Sequence, residues 1–562
     1  MAKKAETFFI NFDSEDKVAA LKPFPNRATA ISYAADEQAA LVVPTENGAW
    51  ESGAFEFPAT APVDCREYPV FAMRVKLKNP ASTFGFFYWR TDESIRMREK
   101  LGDSIDPWQF IYNAKFKYNP TTEWQMLYVD LSEIKHPYFV GNWHTTLFTP
   151  FNIYGTDVTT DDGLYIDWMG WFASVADAYE YAGEPYEAPV KPALEPDEQR
   201  AKDNADRIIN FKGDLPKIKS EKVLISDYQP DIAFKHHPGI AIHNGKIYAS
   251  FSNTPQDEDC PGQKIVYCVS DDFYHWSEPM DLVVPGVTPG TKSEHTDHPP
   301  CIIGGVKAAF GKLYCHFVVT DFLAECFDEN DNFINTGSRK ATHRMYIMYS
   351  EDGIHWTDPE PASNLNLISE NPSPFGLHSH YEAYGKWNLY SRDGVEWKRS
   401  KASDEKLADS DARCPGLLTE STGYQSPDGV VHNIIRSESG YVWNSESYDE
   451  GETWTAYYPT NFTSASTMPK CTYTPDGRIL WIGSPYYDVR WPLALFVSED
   501  GYNFGKGYIV RDEMYEMQKP GWAKGGPFAY PYLENDGEYL YILYSKQKEV
   551  IEITRIKWSD IQ

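Results

Sequence analysis

The chain of 562 residues has no CxxC pair, no apolar run long enough to cross a membrane, and little positive charge for its size. Its eight cysteines, at 65, 260, 268, 301, 315, 326, 414 and 471, are scattered, several of them inside apolar strands. Without CxxC spacing they read as buried thiols in a reducing cytoplasm. Met1 to Thr7 lead into strand-like Phe8-Phe9-Ile10, with no apolar stretch of signal-peptide length. A secreted protein whose signal had been removed would look the same. Acidic residues outnumber basic ones 82 to 52, a net charge of −30. Such a surface repels phosphate backbones and anionic lipid, so neither nucleic acid nor membrane is expected as a partner. An anionic substrate would need a local cluster of Arg or His.

What the chain does have is aromatic residues and one repeated turn. Aromatics make up 15%, including 38 Tyr and 17 Trp, which suits β-rich folds and stacking on sugar rings. Ser447-Tyr448-Asp449-Glu450-Gly451-Glu452-Thr453-Trp454 recurs in shortened form at Ser270 to Trp276, Ser350 to Trp356, Ser391 to Trp397 and Ser498 to Phe504. Each copy begins where an alternating apolar strand ends. The Asp side chain can accept turn N–H groups, Gly supplies positive φ, and the aromatic buries the hairpin. The motif is therefore a staple rather than a catalytic site, recurring about once per four-stranded blade.

This motif resembles the Asp box of sialidases and their relatives, over roughly residues 221–562. The resemblance implies an all-β chain ending in a sialidase-like β-propeller of six blades, or seven with one degenerate copy. The blade intervals are about 230–283, 290–360, 370–400, 415–460, 465–511 and 523–562. Residues 1–180 lack the box and alternate strand-like runs with Pro, Asn and Asp breaks, the pattern of a β-sandwich. Gly163 to Phe172 looks like the last strand of jelly-roll carbohydrate-binding modules. Trp89, Trp108, Trp124, Trp143, Trp168 and Trp171 could line a sugar cleft, although core packing is the better reading of each. Residues 181–220 form a Pro-rich, acidic linker with a short helix-compatible stretch. Lys222 to Ser226 is a strand expected to close the ring with the last blade.

Polar residues at the heads of blades carry the chemistry, because propellers bind ligands at the pore mouth. His236-His237-Pro238 opens the first blade, and Glu294-His295-Thr296-Asp297-His298-Pro299 the second. His378-Ser379-His380 opens the third, and only 14 His exist in the chain. Such pairs suit acid–base work or a structural divalent metal. Thr419-Glu420 followed by Arg436 resembles the sialidase-superfamily segment in which a Glu and an Arg point into the active site. Arg436 is the best carboxylate-binding candidate, with Arg344, Arg413 and Arg490 behind it. Glu420, His295, His378 and His380 are further substrate-binding candidates. Tyr530, before Pro531, could serve as an acid–base phenol.

The first blade also resembles a sialidase-like group of polysaccharide lyases, including ulvan and rhamnosyl-glucuronate lyases, in which a His entering that blade takes part in catalysis. The Phe/Tyr-Arg-Ile-Pro signature of true sialidases is absent, which argues against sialic acid. The favoured expectation is a carbohydrate-active enzyme that cleaves an acidic, uronate-containing oligo- or polysaccharide by β-elimination. His236 or His237 would be the base, Tyr530 or His298 the acid, and Arg436 the neutraliser of the enolate. The alternative is a sialidase-like exo-glycoside hydrolase using carboxylates from Asp257, Glu258, Asp259, Asp297 and Glu420. The third reading is a glycan-binding propeller without chemistry.

Overall fold

The computed structural model describes residues 2–562 except 25–26, 48–52, 58–60, 80–83, 102–111, 133–140, 152–157, 189–192, 211–213, 310, 335–340, 362–377, 380–387, 391–397, 400–418, 438, 487–488 and 522. The chain divides into two compact units, residues 1–195 with two short later segments, and the remainder from Pro196 to Gln562.

The first unit is a β-sandwich of two six-stranded sheets. Val70–Leu77 and Leu164–Phe172 run antiparallel at the centre of one sheet, and Phe84–Thr91 and Asn142–Thr149 at the centre of the other. Large aromatics alternate inward from both sheets and fill the space between them. Phe71 stacks on Phe87 with ring centroids 3.8 Å apart, and Trp143 stacks on Trp171 at 5.4 Å. Trp89, Trp143, Trp168 and Trp171 are all buried, so these four fill the core. Trp124 is half-buried beneath the Arg74 guanidinium, 4.9 Å from its ring centroid. Trp108 lies outside the described residues.

The second unit is an all-β propeller whose six described sheets follow one another along the chain. Phe234–His243 begins the first, Cys301–Ala309 the second, His378–Ser379 the third, Thr419–Gln425 the fourth, Lys470–Tyr473 the fifth and Ala529–Asn535 the sixth. Glu221–Ser226 pairs antiparallel with Val550–Lys557, so the sixth sheet is built from both ends of the unit. Helix Pro196–Arg207 has Pro at its start, Asp197 and Glu198 in its first turn and Arg207 in its last, the order its dipole favours. Ala201 and Ala205 pack on Ala456 and Tyr458, and Glu198 accepts the Tyr458 hydroxyl at 2.7 Å. The chain then adds Ile209–Asn210 in parallel beside the fourth sheet.

Four Asp boxes lie within the described residues, and they act as staples. Asp352 accepts the Ile354 and His355 N–H groups at 2.8 Å each, while Ser350 accepts that of Gly353 at 2.8 Å. Ser498 and Asp500 repeat this with Gly501, Tyr502 and Asn503, as do Ser447 and Asp449 with Gly451 and Thr453. The left-handed position is glycine at 353, 451 and 501, but Phe273 in the first box, at φ 74°. The Ser391 to Trp397 copy lies outside the described residues.

These staples give a prediction for stability. Burial opposes ionisation of Asp500, but hydrogen bonds from Asn503 and Tyr502 hold its carboxyl below the ordinary carboxylate range. Its contribution is therefore present above a pH of about 4 and lost as pH falls through the lower folded value. Asp500→Ala should cost about 1 kcal/mol in urea unfolding at neutral pH. The gap from the wild type should close as the pH is lowered below about 4. A gap that stayed constant with pH would refute the assignment.

Candidate active site

A regular strand sends alternate side chains to its two faces, so a side chain at the head of an innermost strand reaches the pore only if the alternation is broken. Three innermost strands break it at a site residue. The pairing of Phe234–His243 shifts register between His236 and Gly239, that of Thr419–Gln425 between Thr419 and Ser421, and that of Ala529–Asn535 between Ala529 and Tyr532. At these bulges His237, Glu420 and Tyr530 take left-handed backbone, with φ of 53°, 56° and 49°. Each costs about 1 kcal/mol or more, held in place by the ladder that continues its strand. Pro238 and Pro531 directly follow two of them; having no N–H, they leave no donor orphaned at the bulge.

The three bulges converge. Tyr530 donates its hydroxyl proton to Glu420 Oε1 in a very short hydrogen bond. Arg436 Nη1 donates to Glu420 Oε2 at 2.5 Å and to the Tyr530 oxygen at 3.1 Å, and its Nε donates to Ser466 Oγ at 3.1 Å. Arg490 donates to the Ser466 carbonyl at 3.0 Å, with its guanidinium 5.6 Å from the Tyr530 ring centroid. Burial works against the Glu420 carboxylate, but Arg436 and the Tyr530 hydroxyl hold it ionised below the ordinary range. Burial and the Glu420 charge push the Tyr530 phenol far up. Burial and the adjacent Arg436 cation lower the Arg490 pKa, so an anion beside this pair would relieve like-charge repulsion.

Two histidines also pack against Tyr530. The His236 ring is fully buried, 4.3 Å from the Tyr530 ring, with its Nδ1 2.7 Å from Ser545 Oγ. Burial, then the Lys548 and His237 charges, lower its pKa far enough to keep it neutral. His237 Nε2 lies 3.1 Å from Glu258 Oε1, and Lys548 pairs with Glu258 Oε2 at 2.5 Å. His236, His237 and Glu258 could together offer three metal ligands. The Lys548 ammonium already neutralises the carboxylate they share, so this donor set does not suit a divalent cation, and no step is drawn through one.

Asp257 and Asp259 flank Glu258. Asp257 is buried, with its carboxylate accepting backbone N–H groups from Glu258 and Ala523. Asp259 takes left-handed backbone, φ 55°. The residue is exposed, although protein atoms stand close enough to its carboxyl to disfavour the charge. Desolvation there, with Glu258 beside it, pushes its carboxyl up to about 6.

Of the residues singled out by sequence, the structure gathers His236, His237, Glu420, Arg436 and Tyr530. It places others at the head of the second sheet: His295 Nε2 is 3.0 Å from Thr342, and His298 Nε2 is 2.9 Å from Asp331. Arg344 pairs there with Glu294 at 2.5 Å and Asp321 at 3.2 Å. His378 lies in a two-residue strand, while His380 and Arg413 lie outside the described residues. Ser466, Ser545 and Lys548 gave no signal in the sequence. Lys548 lies in the turn Lys546-Gln547-Lys548-Glu549, which reads as a solvated hairpin tip yet is buried throughout.

Residues 335–542 match the model of the BNR repeat-like domain. With four stapled Asp boxes on the described sheets, this makes the second unit an Asp-box β-propeller with BNR-like repeats. No curated protein matches the chain. Among solved structures, a sialidase is 19% identical with a TM-score of 0.44, over 62% of this chain and 35% of its own. A protein of unknown function from Dyadobacter fermentans is 17% identical with a TM-score of 0.42, over 61% and 100%. The NanB sialidase from Streptococcus pneumoniae is 11% identical with a TM-score of 0.41, over 89% and 98%.

The Glu258–Lys548 pair is testable by stability alone. Lys548→Met leaves a buried carboxylate without its cation and should cost about 3 kcal/mol. The double variant Lys548→Met/Glu258→Leu should recover most of that loss in thermal unfolding. A double variant as unstable as the single one would show that the pair is not a unit.

Proposed function

We propose that the protein is a glycoside hydrolase acting with retention of anomeric configuration on an acidic glycan, with Tyr530 as nucleophile. The observation that carries this reading is the Tyr530 hydroxyl held between the Glu420 carboxylate and the Arg436 guanidinium. A phenol is a poor nucleophile at neutral pH unless a base takes its proton as it attacks. Glu420, held ionised, is that base, and Arg436 stabilises the charge developing on the phenolic oxygen. A neutral phenol also approaches an anionic sugar without the repulsion that a carboxylate nucleophile would meet.

In the first step the Tyr530 oxygen bonds to the anomeric carbon, its proton passes to Glu420, and the glycosidic bond breaks. Asp259 delivers a proton to the departing oxygen, as its raised pKa favours. In the second step Asp259 takes a proton from water, the water oxygen replaces the tyrosyl oxygen, and Glu420 returns the phenol's proton. Arg436 and Arg490 are the cations on the side where a substrate carboxylate would lie.

A second reading, β-elimination from a uronate, has its own support: the neutral His236 ring lies 4.3 Å from the Tyr530 ring, with His237 beside it. A His base and a Tyr530 acid could then act together. A panel of acidic glycans separates the two readings. Hydrolysis gives new reducing ends, a first product of retained configuration by NMR, and no ultraviolet absorbance. Growth of unsaturated-uronate absorbance, lost in His236→Ala, would overturn the hydrolase reading.

Two further results are expected. Tyr530→Phe and Glu420→Gln should each lower kcat by about 10³-fold or more while the fold is retained. Because Asp259 must be protonated in the first step, kcat/KM should fall as pH rises through about 6. Asp259→Asn should abolish that limb, with the smallest loss on substrates whose leaving group needs no proton.

A further inference from the structure

The paired histidines at the head of the second sheet remain outside this chemistry, and His298 lines a cavity of about 170 Å³ with Thr254, Gln256, Cys260, Phe327 and Asp331. This is well below the ~300–1,000 Å³ of pockets for drug-sized ligands, so it fits one small ring rather than a chain. We propose that this cavity is the subsite for the leaving group, and that it takes a neutral sugar ring.

Position is the first argument. The loop between the second and third strands of the first sheet carries Asp259 on residues 257–259. Its flanks, Thr254 to Gln256 and Cys260 to Pro261, line the cavity. A general acid must touch the oxygen of the departing group, so the leaving sugar lies against this loop on the far side from Tyr530. The loop is rigid enough to set that distance. Thr254 Oγ1 donates to the Asp257 carbonyl at 2.9 Å, and the Gln263 side chain accepts the Asp259 N–H at 3.2 Å while donating to the Ile302 carbonyl at 3.1 Å.

Chemistry is the second. The His298 imidazole stacks flat on Phe327, centroids 3.7 Å apart and planes within 11°, and Asp331 fixes its Nε2 at 2.9 Å. Phe333 packs beside Phe327 at 5.7 Å. That makes a fixed planar wall of the kind on which the C–H face of a sugar ring packs. Gln256 and Asp331, both exposed, supply polar groups for its hydroxyls. Among the described residues no Lys or Arg lines the cavity, and Asp331 would repel an anion. The acidic ring is thus left to Arg436 and Arg490, and the neutral one to this wall.

The inference rests on the glycosidase reading for the name of the subsite, but its test does not. Saturation-transfer NMR with galactose, glucose and N-acetylglucosamine should show contact with the wild type and with Tyr530→Phe. The contact should be lost in Phe327→Ala and weakened in Gln256→Ala, which changes only an exposed side chain. Absence of contact in the wild type, or equal contact in Phe327→Ala, overturns the subsite whatever reaction the protein catalyses. Kinetics supply the second arm. Against an acidic oligosaccharide that the wild type cleaves, both variants should lose about tenfold in kcat/KM. The methylumbelliferyl glycoside of the same acidic sugar should be unaffected. Equal losses on both substrates would overturn the assignment.

Discussion

A side chain at the head of an innermost strand cannot both keep the β alternation and face the pore, and the site depends on how the chain resolves that conflict. At His237, Glu420 and Tyr530 it inserts a bulge and accepts left-handed backbone on residues that disfavour it. The local cost is affordable because each bulge is continued by an unbroken antiparallel ladder, five pairs after His237, five after Glu420 and four after Tyr530. The Asp boxes fix the hairpins farther out. Stiff blades thus hold three strained residues in register with one another, which is the preorganisation that acid–base chemistry needs.

Charge follows the same logic. A chain with net charge −30 gathers Arg436, Arg490 and Lys548 around one phenol and two imidazoles. Two of these cations have a carboxylate of their own, Arg436 on Glu420 and Lys548 on Glu258. Behind them Lys524 and Glu549 form a pair with no solvent exposure. Such pairs contribute little net stability once desolvation is counted, yet losing one partner is costly. Their value lies in fixing which groups are charged: Glu420 ionised, His236 neutral and Asp259 near the middle of the range.

How much of this was legible in the sequence depended on whether the signal was local. The Asp boxes were, because a Ser-x-Asp turn satisfies its own N–H groups within six residues. His237-Pro238 and Tyr530-Pro531 were also legible as unusual, since proline after a polar aromatic at a strand head marks broken pairing. The link between Glu420 and Tyr530 was not, because 110 residues separate them and only the ring of blades brings them together. Lys548 was hidden for another reason. Lys-Gln-Lys-Glu in a hairpin reads as a solvated tip, and nothing within the turn reveals that the turn is buried. In the sandwich, Trp89 and Trp143 had two readings open, and burial between two sheets decides for the core.

The position where true sialidases carry their first arginine gives the last step. Here His-His-Pro stands in that neighbourhood, with His236 kept neutral by burial and the Lys548 charge already matched by Glu258. The ammonium beside the two histidines is therefore already matched by a carboxylate. The Arg490 guanidinium donates to a carbonyl, and its charge acts on His236 and Lys548 as well as on Arg436. Under the glycosidase reading proposed above, an acidic sugar would present its carboxylate to Arg436 and Arg490.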